Sequence, residues 1–128
     1  GGNVGKLAQI VEMVDPDFQV LAGSASFFLP ALAVGAVGAV AALANVAPQQ
    51  VIDIYDRFKA GSLDEAASIQ QKLIASNTAV TSRYGIPGLK AALDMLGYYG
   101  GPVRSPLRPL RDYEIQTLKS TLVEGGIV

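Results

Sequence analysis

The chemistry open to this chain is limited by the side chains that it lacks. It contains no histidine and no cysteine, which excludes Ser-His-Asp and Cys-His nucleophiles, imidazole zinc sites, thiolate metal sites and disulfides. Lysine, carboxylate, tyrosine and backbone groups remain as candidates for catalysis. From these residue types we predict no metal site and no cofactor.

Lysine is the side chain best suited to attack a carbonyl carbon. The chain has five: Lys6, Lys59, Lys72, Lys90 and Lys119. All five fall on predicted helices beside polar neighbours, where a solvated ammonium is the default. A Schiff-base lysine instead needs a desolvated or cationic site that keeps its amine neutral. We therefore predict no catalytic residue in this chain.

Small polar residues follow two predicted strands. Gly23 and Ser24 come directly after the first strand, and Asn45 follows the second. The carboxyl ends of parallel strands form the rim where α/β enzymes place ligand groups. A turn that needs small polar residues would explain the same residues equally well. Near the C-terminus, Tyr98, Tyr99, Arg104, Arg108 and Arg111 predict either an anion site or, more simply, a loop packed against its own domain.

The elements that would hold these residues alternate between helix and strand. Residues 18–22 and 37–43 are short apolar runs typical of strands buried on both faces. Between them, Ser26 is predicted to cap a helix over residues 27–34. Helices flank the pair, one capped by Asn3 and one that starts at Pro48 and ends at Gly61. This order predicts parallel strands joined by helical crossovers.

The second half of the chain reads as helical. Ser62 and Glu65 predict a capping box at the start of a long helix that Gly85 ends. A second helix runs from Pro87 to Gly97, residues 98–110 form an ordered loop, and a last helix covers residues 112–124. We predict two parts, residues 1–61 and residues 62–128. Two parallel strands cannot bury their own faces, so further strands must come from elsewhere.

Charge and hydropathy exclude several classes of function. The net charge is −1 and no run of like charge occurs, so no nucleic-acid partner is predicted. Residues 18–52 carry no charge, a length that would suit a membrane span, but Pro30 and several glycines interrupt them and no basic cluster flanks them. Gly35 and Gly38 precede a strand, which is the wrong context for a phosphate-binding loop. We predict no membrane partner.

Five strings of the sequence are more specific than its periodicity. They are residues 20–24 (VLAGS), 35–40 (GAVGAV), 44–48 (ANVAP), 83–93 (RYGIPGLKAAL) and 100–107 (GGPVRSPL). They resemble the dihydrodipicolinate synthase/N-acetylneuraminate lyase family of Schiff-base aldolases. Within that family they are most similar to 4-hydroxy-2-oxoglutarate aldolase-like members, and the resemblance is collinear over essentially the whole chain.

The resemblance implies the α/β fold class, here the C-terminal part of a (β/α)8 TIM barrel. Residues 1–61 would be the last two strands with their helices, and residues 62–128 a three-helix C-terminal segment, so that the chain alone is mostly helical. It also implies an imine between pyruvate or a related 2-oxo acid and a lysine that lies upstream. In the family that lysine lies in a lysine-aspartate-serine-type string followed by glycines. Gly1-Gly2-Asn3-Val4 resembles the continuation of that string, so we expect the lysine a few residues before Gly1.

The same resemblance implies three substrate-binding positions. Gly23 matches a backbone position that lines the keto-acid pocket, and Val40 matches the residue whose carbonyl faces the imine. Ser24, with Ala25, stands where synthase members often have acidic residues, which favours aldolase use over dihydrodipicolinate synthesis.

We therefore expect a C-terminal piece of a pyruvate-dependent class I aldolase or lyase that is inactive by itself. Its expected partners are a 2-oxo acid of the pyruvate or glyoxylate class and either copies of itself in a homo-oligomer or the missing N-terminal portion of the barrel. The alternative is a non-enzymatic helical module whose exposed strand edges mediate association. The expected compartment is the cytoplasm or the mitochondrion.

Overall fold

The computed structural model describes residues 2–128. Gly1, the first residue of the string that is expected to continue from the upstream lysine, lies outside the described residues. Most of the described chain is helical. Its α-helices are α1 (Val4–Met13), α2 (Phe28–Ala33), α3 (Pro48–Lys59), α4 (Leu63–Thr78), α5 (Gly85–Met95) and α6 (Asp112–Glu124), and its strands are β1 (Leu21–Ala22) and β2 (Gly38–Ala39). Short 3-10 turns cover Ala25–Phe27 and Ala42–Asn45, and a π turn covers Ala79–Arg83.

The two strands pair in parallel, as predicted, with Leu21 opposite Gly38 and Ala22 opposite Ala39. Both are shorter than predicted, because the end of the second apolar run turns into the 3-10 turn instead of extending the ladder. The predicted burial of both faces is wrong for the described residues, since the Leu21 side chain is 50% exposed and Val40 is 72% exposed. Two strands alone leave these faces uncovered.

The segment after β1 begins one turn earlier than predicted. Ser24, not Ser26, is the capping residue, and its hydroxyl oxygen accepts a hydrogen bond from the Ser26 N–H at 3.2 Å. The 3-10 turn that follows leads directly into α2, and Gly35 ends this helical segment with a φ of +102°, a conformation that favours glycine. The prediction that Ser26 caps the helix is therefore wrong, and its hydroxyl is free for another role.

Of the predicted N-caps at α1 and α4, only the one at α1 forms. Asn3 caps α1 by accepting a hydrogen bond from the Lys6 N–H at 2.9 Å, as predicted. The capping box of Ser62 and Glu65 does not form, and the Ser62 side chain makes no cap bond. Glu65 instead forms a salt bridge of 3.1 Å with Arg57 at the end of α3. Both side chains of this ion pair are more than half exposed, so we assign it little stability.

Buried apolar side chains from both sides of Gly61 form one cluster, with α4 in contact with α3, α6 and the turn after β1. Its fully buried large members are Leu43, Ile54, Leu73, Val80, Leu118 and Leu122. The division into parts at residue 61 stays a prediction. Within residues 2–128, no helix has the length and apolar character needed to cross a bilayer.

Candidate functional site

A cavity of about 460 Å³ lies at the carboxyl end of β1. Gly2, Gly23, Ser24, Ser26 and Phe27 line it. The short strand brings the chain to this point, and the tight 3-10 turn after it returns Ser26 and Phe27 to the same opening. Two of the three predicted substrate-binding residues, Gly23 and Ser24, therefore face one cavity.

Val40, the third predicted residue, lies beside this cavity and not in its lining. Its N–H donates a hydrogen bond of 2.8 Å to the carbonyl of Ala22, the residue before Gly23. Its backbone is thus held alongside the start of the site, while its side chain is 72% exposed. The roles of Gly23, Ser24 and Val40 in substrate binding stay predictions.

The hydroxyl groups of the site form a compact hydrogen-bonded group. Ser24 Oγ lies 3.1 Å from Ser26 Oγ and accepts from the Ser26 N–H. The Asn77 Nδ2 donates to the same Ser24 oxygen over 3.4 Å, which is long for an N–H···O bond. A side chain from α4 thus reaches the rim of the β1 strand.

Gln70 fixes the same segment through its backbone. Its Nε2 donates to the carbonyl of Ala25 at 2.8 Å, and its Oε1 accepts from the Leu29 N–H at 3.0 Å. The side chain of Phe27 makes no cap bond at the start of α2, so Gln70 supplies the acceptor that this short helix needs. The residue that supports the turn lies 41 positions away in sequence from its Leu29 partner.

The sequence reasoning missed Gln70 and Asn77, although a signal was present. The apolar positions Ala66 and Leu73 of α4 and Val80 in the following π turn recur every seven residues, and the two amides fall between them on the same face. Gln70 is 7% exposed and Asn77 is 4% exposed. Polar residues inside an apolar stripe mark hydrogen bonds to a packed neighbour.

Asn45, the other polar residue predicted near a strand end, has a local role. Its Nδ2 donates to the Ala42 carbonyl at 3.0 Å and so closes the 3-10 turn that contains both residues. It lines a different cavity, together with Pro48 and Tyr98. Its contacts favour the turn interpretation over the ligand interpretation.

None of the five lysines lines the cavity at β1. Four of them are exposed, and the fifth, Lys90, is partly buried and donates from its Nζ to the Gly100 carbonyl at 2.6 Å. Arg104 lines a separate cavity with Lys90 and Tyr99 in the C-terminal loop. Within the described chain, no group of three or more Asp or Glu side chains could hold a metal ion. The cavity can bind polar oxygens, but its lining has no nucleophile for a carbonyl.

Replacing Gly23 by alanine gives a test of the cavity. An added Cβ at this position would have no atom within 4 Å, and Gly23 has no positive φ. We therefore expect Gly23→Ala to change the free energy of unfolding by less than about 0.5 kcal/mol, measured by urea unfolding. The new methyl group would project into a cavity lined by Gly23. For the 2-oxo acid that the resemblance implies, we expect the concentration needed for half-saturation of the whole protein to rise severalfold. If the variant is stable and its half-saturating concentration is unchanged, Gly23 does not line the ligand site.

Comparison of sequences connects this site to known proteins. The dihydrodipicolinate synthetase family matches residues 1–124. The chain is 37% identical over 122 residues to an uncharacterised DapA-like lyase of Halobacterium salinarum, covering 95% of this chain and 40% of that protein. It is 32% identical over 126 residues to a 4-hydroxy-tetrahydrodipicolinate synthase of Methanoculleus marisnigri, covering 98% of this chain and 43% of that protein.

Comparison of structures gives the same picture. The structure of the 4-hydroxy-tetrahydrodipicolinate synthase from Methylacidiphilum fumariolicum SolV aligns with a TM-score of 0.89 at 32% identity, over 98% of this chain and 42% of that one. The chain thus spans less than half the length of these relatives. The predicted fold class, the C-terminal part of a TIM barrel in a mostly helical chain, is confirmed.

Proposed function

The chain belongs to the dihydrodipicolinate synthetase family, and from this premise we propose that the whole protein is a class I aldolase or lyase that acts on 2-oxo acids. The observation that carries the proposal is the family match over residues 1–124, which includes the cavity at the end of β1. In this proposal, residues 2–128 supply one wall of the substrate pocket and the helices that support it.

We place the reactive lysine outside residues 2–128. The cavity at β1 has hydroxyl and backbone groups but no amine in its lining, and four of the five lysines are exposed. An imine requires an unprotonated amine, which water-exposed lysines rarely provide near neutral pH. The proposed imine with pyruvate or a related 2-oxo acid therefore needs a lysine from the rest of the protein.

The exposed faces of the strands supply the argument for a partner. Leu21 in β1 and Val40, the residue after β2, are at least half exposed, and Phe18, three residues before β1, is 63% exposed. Apolar side chains clustered at an open sheet are typical of a surface that another chain segment covers. The N-terminal portion of the barrel is the proposed occupant, and a second copy of this chain is the alternative that would make it an association module.

Ser24 and Ala25 support one choice of substrate class over another. Neither side chain is charged, so this part of the rim would not pair with an ammonium group on the substrate. We therefore favour a 4-hydroxy-2-oxoglutarate-type aldolase substrate over the amino-bearing substrate of a synthase. Retro-aldol release of pyruvate from 4-hydroxy-2-oxoglutarate by the whole protein would support this choice.

Borohydride reduction in the presence of pyruvate tests the proposed function. Reduction converts an imine into a stable secondary amine, so the whole protein should gain one pyruvate-derived label, measured by intact mass. The separate 128-residue chain should gain none, and lactate, which has no keto group, should label neither. A label on a lysine within residues 2–128 would contradict the assignment of roles. Size-exclusion chromatography of the separate chain tests the association module, which a stable monomer would contradict.

A further inference from the structure

The cavity at β1 contains two hydroxyl groups whose hydrogen bonds can be counted. A serine oxygen has two acceptor lone pairs and one hydrogen to donate. The Ser24 oxygen receives the Ser26 N–H at 3.2 Å and the Asn77 Nδ2 at 3.4 Å, which together occupy both lone pairs. The hydrogen of Ser24 is then directed to its remaining neighbour, Ser26 Oγ, at 3.1 Å.

This count leaves one hydrogen atom without a partner. Ser26 accepts the bond from Ser24, and among the described residues its own hydroxyl hydrogen has no further acceptor. Ser26 lines the cavity. The chain of bonds therefore runs from Asn77 to Ser24 to Ser26 and ends with a free donor on the cavity side.

Asn77 gives this chain its direction. Its side chain is 4% exposed and its Oδ1 is buried with no hydrogen-bond partner in the described structure. A buried amide with one unsatisfied atom costs stability, so its presence in the buried face of α4 needs a reason other than packing. The reason available here is the Nδ2 donor, since an apolar residue or a carboxylate could not donate to Ser24.

We propose that Ser26 binds the 2-oxo acid by donating a hydrogen bond to one of its acceptor oxygens, and that Asn77 is the positioning residue that keeps this donor directed into the cavity. The inference rests on the proposed function for the identity of the ligand. What it adds is the direction of the hydrogen bond: this wall of the pocket donates to a ligand oxygen and does not accept from a ligand donor.

Three substitutions at two positions, made in the whole protein, separate the effect of hydrogen-bond direction from that of packing. Ser26→Ala removes the free hydrogen, whereas Ser26→Thr keeps a hydroxyl at the same position. Asn77→Asp keeps the shape of the side chain but, when ionised, can only accept. Ser24 would then donate to Asp, Ser26 would donate to Ser24, and no hydrogen would remain for the cavity.

The readout is the pyruvate concentration that gives half-maximal borohydride labelling. We expect Ser26→Ala and Asn77→Asp each to raise it about fivefold, the range of one neutral hydrogen bond, and Ser26→Thr, which keeps the donor, to raise it less than Ser26→Ala. The double variant should lose no more than either single variant, because both remove the same bond. Losses that multiply, or an unchanged concentration for Ser26→Ala, would overturn the proposal.

Ser76→Ala is the matched control. Ser76 adjoins Asn77 on α4, is fully buried, and donates from its Oγ to the Thr121 carbonyl at 3.3 Å, away from the cavity. Its loss should lower the melting temperature without changing the half-maximal pyruvate concentration. If Asn77→Asp fails to fold, the comparison of Ser26→Ala with Ser26→Thr still tests the proposal, because Ser26 is only partly buried. A parent protein that takes no label overturns the proposed function, whereas labelled variants with parent-like pyruvate dependence overturn only the role of Ser26 and Asn77.

Discussion

Gly100→Ala is expected to destabilise the chain by about 3 kcal/mol, the upper range for inserting a methyl group into a packed interior. A Cβ at this buried position would lie in direct collision with the backbone carbonyl of Lys90 in α5. The Gly100 peptide cannot move away easily. Its N–H donates to Asp94 Oδ1 at 2.8 Å and its carbonyl accepts from Lys90 Nζ at 2.6 Å.

The same chemical change at Gly97 is the control for Gly100→Ala. Gly97 ends the α5 segment with a φ of +81°, and a Cβ there would have no atom within 4 Å. Gly97→Ala should therefore cost about 1–2 kcal/mol through backbone strain alone. Urea unfolding of both variants in parallel measures the difference. Equal losses would show that the loop after α5 can shift and that the close approach to Lys90 is not a constraint.

Gln70→Leu is expected to cost about 2–4 kcal/mol, because it leaves two backbone groups without partners. The Ala25 carbonyl would lose its donor and the Leu29 N–H its acceptor. Ala25 is fully buried, so water cannot replace the lost bond to its carbonyl. The turn after β1 and the start of α2 should loosen together.

Gln71→Leu is the matched control, since Gln71 is the neighbouring exposed glutamine on α4. It should change the free energy of unfolding by less than about 0.5 kcal/mol. Hydrogen exchange supplies a local readout: the Leu29 amide should exchange faster in Gln70→Leu and at the parent rate in Gln71→Leu. Similar losses of stability in the two variants would mean that Gln70 does not anchor the turn.

Much of the helical part of the fold could be predicted from local sequence. Asn3 before α1, Pro48 at the start of α3 and the apolar spacing of α6 each act within one or two turns of their own helix. The parallel pairing also followed from the alternation of elements. These features depend on neighbours in sequence, so a single sequence contains the information.

Two helix-cap predictions were wrong because another group nearby competed for the same partner. Glu65 had a suitable cap partner three residues away, but Arg57 of the preceding helix takes its carboxylate. Ser26 had the right type for a helix cap, but Ser24 accepts its N–H first and moves the start of the helical segment. In each case two partners were available, and the folded geometry selected one of them.

The sequence by itself determined the class of fold, the alternation of helix and strand and the placement of Gly23 and Ser24 just after a strand. The apolar stripe marks Gln70 and Asn77 as buried amides, but only the tertiary structure decided which groups they bind, because their hydrogen bonds span 45 and 53 positions. Side-chain amides are short-range groups whose partners are set by which elements pack together. The direction of the hydrogen bonds into the cavity depends on Asn77 of α4 meeting Ser24 after β1. Neither segment alone determines that direction.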